Sequence, residues 1–517
     1  MYLKNAAFYL IIYAFLSGCS KKVTQQYVSR SPAPKREFRA VWVATIDNID
    51  WPSRKGLSSE TQQQEFRTLL DRQKSYGMNA VLVQVRAAAD AFYARSKEPW
   101  SEWLTGEQGK APEPFYDPML FMIHEAHQRN MEFHAWLNMN RGAHKVSRSI
   151  VEDHLVNTRP EWFLTYGGYR LFNLGIPEVR AYITEIALNI VRNYDVDGIH
   201  FDDYFYPYTI ANEKLRDDDT FRKYKGSFKD IEDWRRNNVD LIIKGISDGI
   251  KEIKPKVKFG ISPVGVWRNA SVDPSGSQTQ GGQTSYDNLY ADTRKWVQKG
   301  WIDYIAPQIY FSFEFNKVPY KVLADWWTKQ PHNRHLYIGH GVYRVKAGSN
   351  EVGWEKATQI PRQVRYNRSK PQISGSIFYS AKPLNRNELS VNDSLRNLYF
   401  YPALPPAMPW KDNVPPNAPE NVQAKKVNDL GMLITWDAPA LPAKDGDEPT
   451  SFVIYRFEKD EKINIDNSSK IIGIVRNEGM LGYTDKKYES GKSFVYVVTA
   501  LDRLNNESAM SNIVKTK

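Results

Sequence analysis

The sequence predicts an α/β protein, a (β/α)8 TIM barrel, followed by a smaller all-β sandwich. Three observations lead there. Between residues 38 and 398, short β-branched apolar runs alternate with stretches of helical periodicity, eight of each. Residues 402–419 then carry seven prolines. Beyond them the helical period disappears and short strand-like runs follow one another. Alternating strand and helix implies a parallel sheet, and eight repeats imply a closed barrel with its site at the carboxyl ends of the strands. A doubly wound open sheet is the alternative. It is disfavoured because no Gly-rich phosphate loop follows the first strand.

The strands are expected at 38–45, 80–86, 132–138, 196–203, 258–263, 302–310, 335–341 and 373–380. Helices are expected at 60–76, 118–129, 177–194, 230–253, 286–299, 320–328, 354–366 and 387–398. Gly77 stops the first helix, and Pro177 stands at the N1 position of the third. The domain thus runs over 36–401, and the Pro-rich 402–419 reads as a linker. A linker there predicts a barrel that folds without the last domain, 420–517. In that domain the runs 431–436, 451–456, 471–475 and 493–500 suit a seven-stranded sandwich. Trp436 in an early strand and Tyr496 in a late one resemble the fibronectin type III pattern, and such a module could bind a cell-envelope protein.

The N-terminus carries a targeting signal. Lys4 precedes an apolar run over 6–16, and Leu16-Ser17-Gly18-Cys19 follows. This tetrad resembles the bacterial lipobox, and Cys19 is the sole cysteine. The expectation is a signal peptide over 1–18, lipidation of Cys19, and a polar tether over 19–35. No acidic cluster follows the cysteine, so a periplasm-facing anchor at the outer membrane of a bacterial envelope is expected. No later apolar run reaches the ~18 residues of a membrane span. Without a second cysteine there is no disulfide.

The net charge of +11 suits a polyanionic partner. The basic residues are scattered and zinc-finger spacing is absent, so nucleic acid is not expected. Fifteen Trp and 30 Tyr exceed what cores usually need, and aromatic faces stack on sugar rings.

The chemistry concentrates after the fourth strand, in Asp197-Gly-Ile-His-Phe-Asp-Asp203. Ile199 and Phe201 alternate with His200 and Asp202, so parity points Asp202 into the barrel with His200. Asp203 begins the loop, and Tyr204 follows. The other strand ends add Gln84, Arg86, Asp90 and Tyr93; Trp136, Asn138 and Asn140; Ser262 and Trp267; Gln308 and Tyr310; His340, Tyr343 and Arg344; and Tyr379 and Ser380. In a barrel these converge on one pocket. The set lacks a thiol nucleophile and a Gly-x-Ser-x-Gly elbow, and its histidines follow no metal spacing, so no metal or cofactor is expected. Carboxylates, amides and aromatics together suit glycoside hydrolysis.

Phe38-Arg-Ala-Val-Trp-Val-Ala44, Gln84-Val-Arg86, Ala135-Trp-Leu-Asn138, Asp197–Asp203 and Ala306-Pro-Gln-Ile-Tyr310 resemble the glycosyl hydrolase-like 10 family. The resemblance covers residues 36–401. It implies a cell-division-associated hydrolase of peptidoglycan glycan strands stripped of stem peptides. Two neighbouring acids after the fourth strand are also similar to barrel enzymes that cleave N-acetylhexosaminides. There one carboxylate orients the substrate's 2-acetamido group, which attacks the anomeric carbon, while the other protonates the leaving oxygen. On that analogy Asp203 is the acid/base and Asp202 orients the acetamide. Glu314 is the candidate for a second protein carboxylate instead. Gln308, Tyr310 and Asn138 would hold the sugar, and Arg86 would meet a substrate carboxylate or hydroxyl. A hydrolase of another polysaccharide and a non-catalytic glycan-binding lipoprotein are the competing readings.

Overall fold

The computed structural model describes residues 33–516. The expected lipidation site and the signal peptide lie outside the described residues. Eight strands close into a barrel: β1 (Phe38–Val43), β2 (Ala80–Arg86), β3 (Glu132–Leu137), β4 (Gly198–Phe201), β5 (Lys258–Ile261), β6 (Tyr304–Ile305), β7 (His335–Gly341) and β8 (Ile373–Tyr379). Each pairs in parallel with its sequence neighbours, and β1 with β8 completes the ring. Because helices cover the outside and side chains fill the inside, these strands are buried on both faces and need no polar alternation.

Parity still separates the two faces. Phe38, Ala40 and Trp42 of β1 join Leu82, Trp136, Tyr304 and Tyr337 inside the barrel. Val41 and Val43 pack outward under the helices. Gly260 makes the interior fit, since a Cβ there would collide with the Tyr304 ring. The inner aromatics are thus large because specific neighbours are small.

Several elements depart from the sequence pattern. The sixth strand is regular only over Tyr304–Ile305, because Pro307 has no N–H for the ladder; pairing resumes at Gln308 as bridges to Val264 and Gly339. The helix expected over 286–299 is confined to Thr293–Gln298, where Asp292 accepts from Lys295 N. The last barrel helix begins at Val391, since Asn387, Leu389 and Ser390 all hold positive φ. An antiparallel sheet of Arg141–Ala143, Phe163–Tyr166 and Tyr169–Phe172, unforeseen from the pattern, is inserted after β3 on the site face.

The Pro-rich segment is not a free linker. Leu404 and Met408 are fully buried, and Met408 joins the inner barrel cluster from below. Trp410 Nε1 donates to Asp303 Oδ1 at 2.9 Å, and Lys411 pairs with Asp303 at 2.9 Å. The prolines set an extended path whose side chains plug the underside of the barrel.

The C-terminal chain forms β9 (Glu420–Val427), β10 (Gly431–Asp437), β11 (Ser451–Glu458), β12 (Ile471–Arg476), β13 (Gly482–Asp485), β14 (Phe494–Leu501) and β15 (Val514–Lys515). They make antiparallel sheets in the orders β9-β10-β13 and β12-β11-β14-β15 around Ile434, Trp436, Phe452 and Tyr496. This all-β unit docks at the amino ends of the barrel strands, opposite the site. Arg503 donates to Val196 O at 2.8 Å, and Asn505 donates to Glu132 Oε1 at 2.9 Å.

Candidate active site

The carboxyl ends of the strands open into a cleft of about 850 Å³. Asp202 and Asp203 lie on its floor, both almost fully buried. Around them stand Gln84, Trp136, Tyr204, Ser262, Gln308, Tyr310, Tyr343, Arg344 and Tyr379, all expected there from sequence.

The two aspartates have different surroundings. Asp202 receives Asn138 Nδ2 at 3.2 Å on each oxygen, Trp136 Nε1 at 3.1 Å and Tyr204 N at 3.1 Å. This cage fixes its rotamer and leaves it little freedom. Burial raises its pKa, opposed by the Arg141 charge and these donors. Asp203 accepts from Tyr208 Oη on Oδ2 and from Gln308 Nε2 on Oδ1 at 3.0 Å. Burial, and then the adjacent Asp202 charge, push the Asp203 carboxyl up to about 6. A carboxylic acid raised in this way holds its proton near neutrality and can deliver it.

Beneath the cleft a polar chain crosses the barrel interior. Trp42 Nε1 donates to His200 Nε2 at 3.2 Å. An indole N–H can only donate, so neutral His200 carries its proton on Nδ1 and donates to Tyr304 Oη at 3.0 Å. The Tyr304 hydroxyl then donates to His134 Nδ1 at 2.8 Å, and His134 Nε2 donates to Glu132 at 3.0 Å. Burial holds the His200 pKa well below its ordinary value. His200 is therefore a neutral support for Trp42 and Ser262, with no face on the cleft.

Other sequence candidates also lie away from the cleft. Arg86 is fully buried and forks onto Glu98 at 2.7 and 2.6 Å, because a register shift between Gln84 and Arg86 takes it off the inward parity of Ala80, Leu82 and Gln84. It is not positioned to meet substrate. Asp90 accepts from Ala88 N at 3.0 Å and Ser101 Oγ at 2.5 Å in a buried turn. Asn140 donates to Phe205 O at 2.5 Å and buttresses the loop after β4. Asn138 acts on Asp202 from below the surface. Glu314 pairs with Arg362 at 2.6 Å and with Lys356 at 3.7 Å, outside the cleft lining. Tyr93, Trp267 and His340 are buried in packing roles, and Ser380 donates to Asp50 Oδ1 at 2.8 Å.

Sequence reading missed Trp42, Arg141, His144, Tyr169, Tyr208 and Lys317, which line the cleft. The inward parity of Trp42 in β1 was a usable signal, and so was the tyrosine just past Pro207. Arg141, His144 and Tyr169 belong to the inserted sheet, which had no signature in the strand–helix alternation.

With this geometry in view, comparison with known proteins is direct. The family described as Glycosyl hydrolase-like 10 matches residues 37–356. Glycosyl hydrolase YngK of Bacillus subtilis is 44% identical over 482 residues, covering 92% of each chain. Glycosyl hydrolase DigH of Escherichia coli K12 is 39% identical over 391 residues, covering 70% of this chain and 88% of its own. Among solved structures, the glycoside hydrolase domain of PgaB from Bordetella bronchiseptica aligns over 70% of this chain and 99% of that domain, with 13% identity and a TM-score of 0.45. The family match and the two sequence relatives carry the conclusion: this chain belongs to the glycosyl hydrolase-like 10 family and is a glycoside hydrolase.

Proposed function

We propose that the protein hydrolyses peptidoglycan glycan strands from which the stem peptides have been removed, with Asp203 as general acid/base and the substrate's own 2-acetamido group as nucleophile. One observation carries this reading. The buried carboxylates of the cleft are the adjacent pair Asp202 and Asp203, while Asp47 lines it as an exposed residue and Glu314 is tied to Arg362 and Lys356 elsewhere. A two-carboxylate mechanism places its groups on opposite faces of the scissile bond, about 5 Å or more apart. Neighbouring residues serve the other arrangement better: Asp203 protonates the leaving oxygen, and Asp202 accepts the acetamide N–H as its carbonyl oxygen attacks C1. Opening of the resulting oxazolinium by water, with Asp203 now taking the water's proton, completes hydrolysis. Tyr310 and Tyr379, ring planes 27° apart, offer the sugar an apolar wall.

The N-terminal tetrad Leu16-Ser17-Gly18-Cys19 supports export and lipidation at Cys19, at the outer membrane facing the periplasm. The C-terminal domain, resembling fibronectin type III, would carry a contact to a cell-envelope protein.

The test is incubation of the purified protein with amidase-treated peptidoglycan, followed by mass spectrometry. Products with a reducing hexosamine end are expected. Anhydro-muramyl ends would mean a lytic transglycosylase, and no cleavage, with turnover of another polysaccharide, would move the substrate class.

A further inference from the structure

Four arginines of the described chain are buried, and three of them have a carboxylate partner. Arg39 pairs with Glu37, Arg86 with Glu98 and Arg235 with Asp217. Lys258, equally buried, pairs with Glu132. Arg141 is 7% exposed and makes no ion pair within 4 Å among the described residues; the carboxylate its charge acts on is Asp202, from further off. A guanidinium largely removed from water without a carboxylate in contact is unfavourable, and native chains rarely retain one without use.

Its placement is specific. Arg141 N donates at 2.9 Å to Asn138 Oδ1, the same side chain whose amide holds Asp202. The catalytic pair and Arg141 are therefore fixed to one another through a single residue. The guanidinium lies 4.0 Å from the Tyr204 ring centroid, stacked on the aromatic face and lining the cleft. Stacking holds its plane while leaving its N–H edge for a ligand. Lys317, exposed on the cleft lining, also lacks an ion pair among the described residues.

We propose that Arg141 is a specificity-determining residue that binds a carboxylate on the glycan, in the sugar subsite adjoining Asp202 and Asp203. The preferred substrate is then an acidic glycan, one whose sugars carry a carboxylate substituent, and a neutral hexosamine polymer is disfavoured. This rests on the glycan-strand reading above. It adds which residue selects the strand and by what chemistry: a planar cation meeting a carboxylate in a partly dehydrated cleft.

The full-length protein is given two substrates: amidase-stripped glycan strands, and the same strands with their carboxyl groups reduced to alcohols. Turnover is measured on wild type, and binding is measured on the Asp203→Asn variant so that affinity is read without cleavage. Wild type is expected to favour the native strand at least about 10-fold in kcat/KM, mainly through KM, by the usual strength of a charge-assisted contact. Arg141→Gln should bring that ratio close to one, and Arg141→Lys should keep part of it. Melting curves of both variants confirm the fold.

Equal use of the two strands by the wild type and equal binding of them by Asp203→Asn overturn the proposal and leave the peptidoglycan reading intact. An Arg141→Gln loss of the same size on both strands also overturns it, because Arg141 would then serve only Asp202. A protein that binds the native strand in preference, yet cuts neither, sinks the hydrolytic reading of these strands and leaves the role of Arg141 standing.

Discussion

Gln308 Nε2 lies 3.0 Å from Asp203 Oδ1 and 2.9 Å from the carbonyl of Ser262, so one amide ties the acid to the end of the neighbouring strand. The Asp203 carboxyl is thereby held by its oxygens while burial and Asp202 keep its proton on. Replacing it removes the proton and little else. Asp203→Asn should lose at least about 100-fold in kcat and keep its affinity for stripped glycan strands. The wild-type rate should fall as pH rises through about 6, where Asp203 loses its proton. A pH–rate profile of kcat/KM with a flat limb between pH 5 and 8 would remove Asp203 from the acid role.

The same displaced carboxyl affects stability. Its folded value of about 6 stands above the ordinary 3.8, so its stabilising contribution is complete below the unfolded value and is lost as pH rises through 6. That displacement costs the fold roughly 3 kcal/mol at pH 8. Asp203→Asn should therefore melt higher than wild type at pH 8, with the gain vanishing by pH 4. Thermal melts at the two pH values measure it.

Arg86 belongs to the scaffold. Arg86→Ala would leave Glu98 as an uncompensated buried charge, and breaking such a pair costs about 3–5 kcal/mol. The expected result is a lowered melting temperature. For whatever protein remains folded, KM for the glycan should be unchanged. A selective rise in KM without loss of stability would return Arg86 to the binding site.

Ending the chain near Tyr401 removes Met408, Trp410 and Lys411, which seal the underside of the barrel, and Leu404, which packs with Val453, Tyr455 and Val497 of the C-terminal domain. Such a protein should be insoluble or melt well below the full-length chain, contrary to the separable barrel suggested by the prolines. Ending after the plug, near residue 413, should recover part of the solubility. Expression yields and melts of both truncations decide this.

The lipid anchor is tested separately. Cys19→Ala should abolish membrane fractionation and metabolic labelling with palmitate, leaving the hydrolytic activity of the extracted protein unaltered. Persistent membrane association after signal processing would remove the anchor assignment.

Much of this protein is legible in its sequence because its fold is a repeated local unit. Strand and helix periods are properties of a few consecutive residues, so the eight alternations set the barrel; strand parity turned Asp202 inward, and the end of the sixth strand put Gln308 at the mouth. Asp203 followed as the first loop residue. What tertiary structure alone decided was partnership. Arg86 and Arg141 look alike in sequence, one closing β2 and the other four residues beyond β3. One finds Glu98, twelve residues on, and is neutralised; the other stacks on an aromatic face beside the cleft with no carboxylate in contact. The prolines of 402–419 likewise specify an extended path, but not that Met408 would fill the barrel floor. Backbone propensity is local, whereas the pairing of a buried charge or an apolar side chain depends on what distant segments bring to the same place.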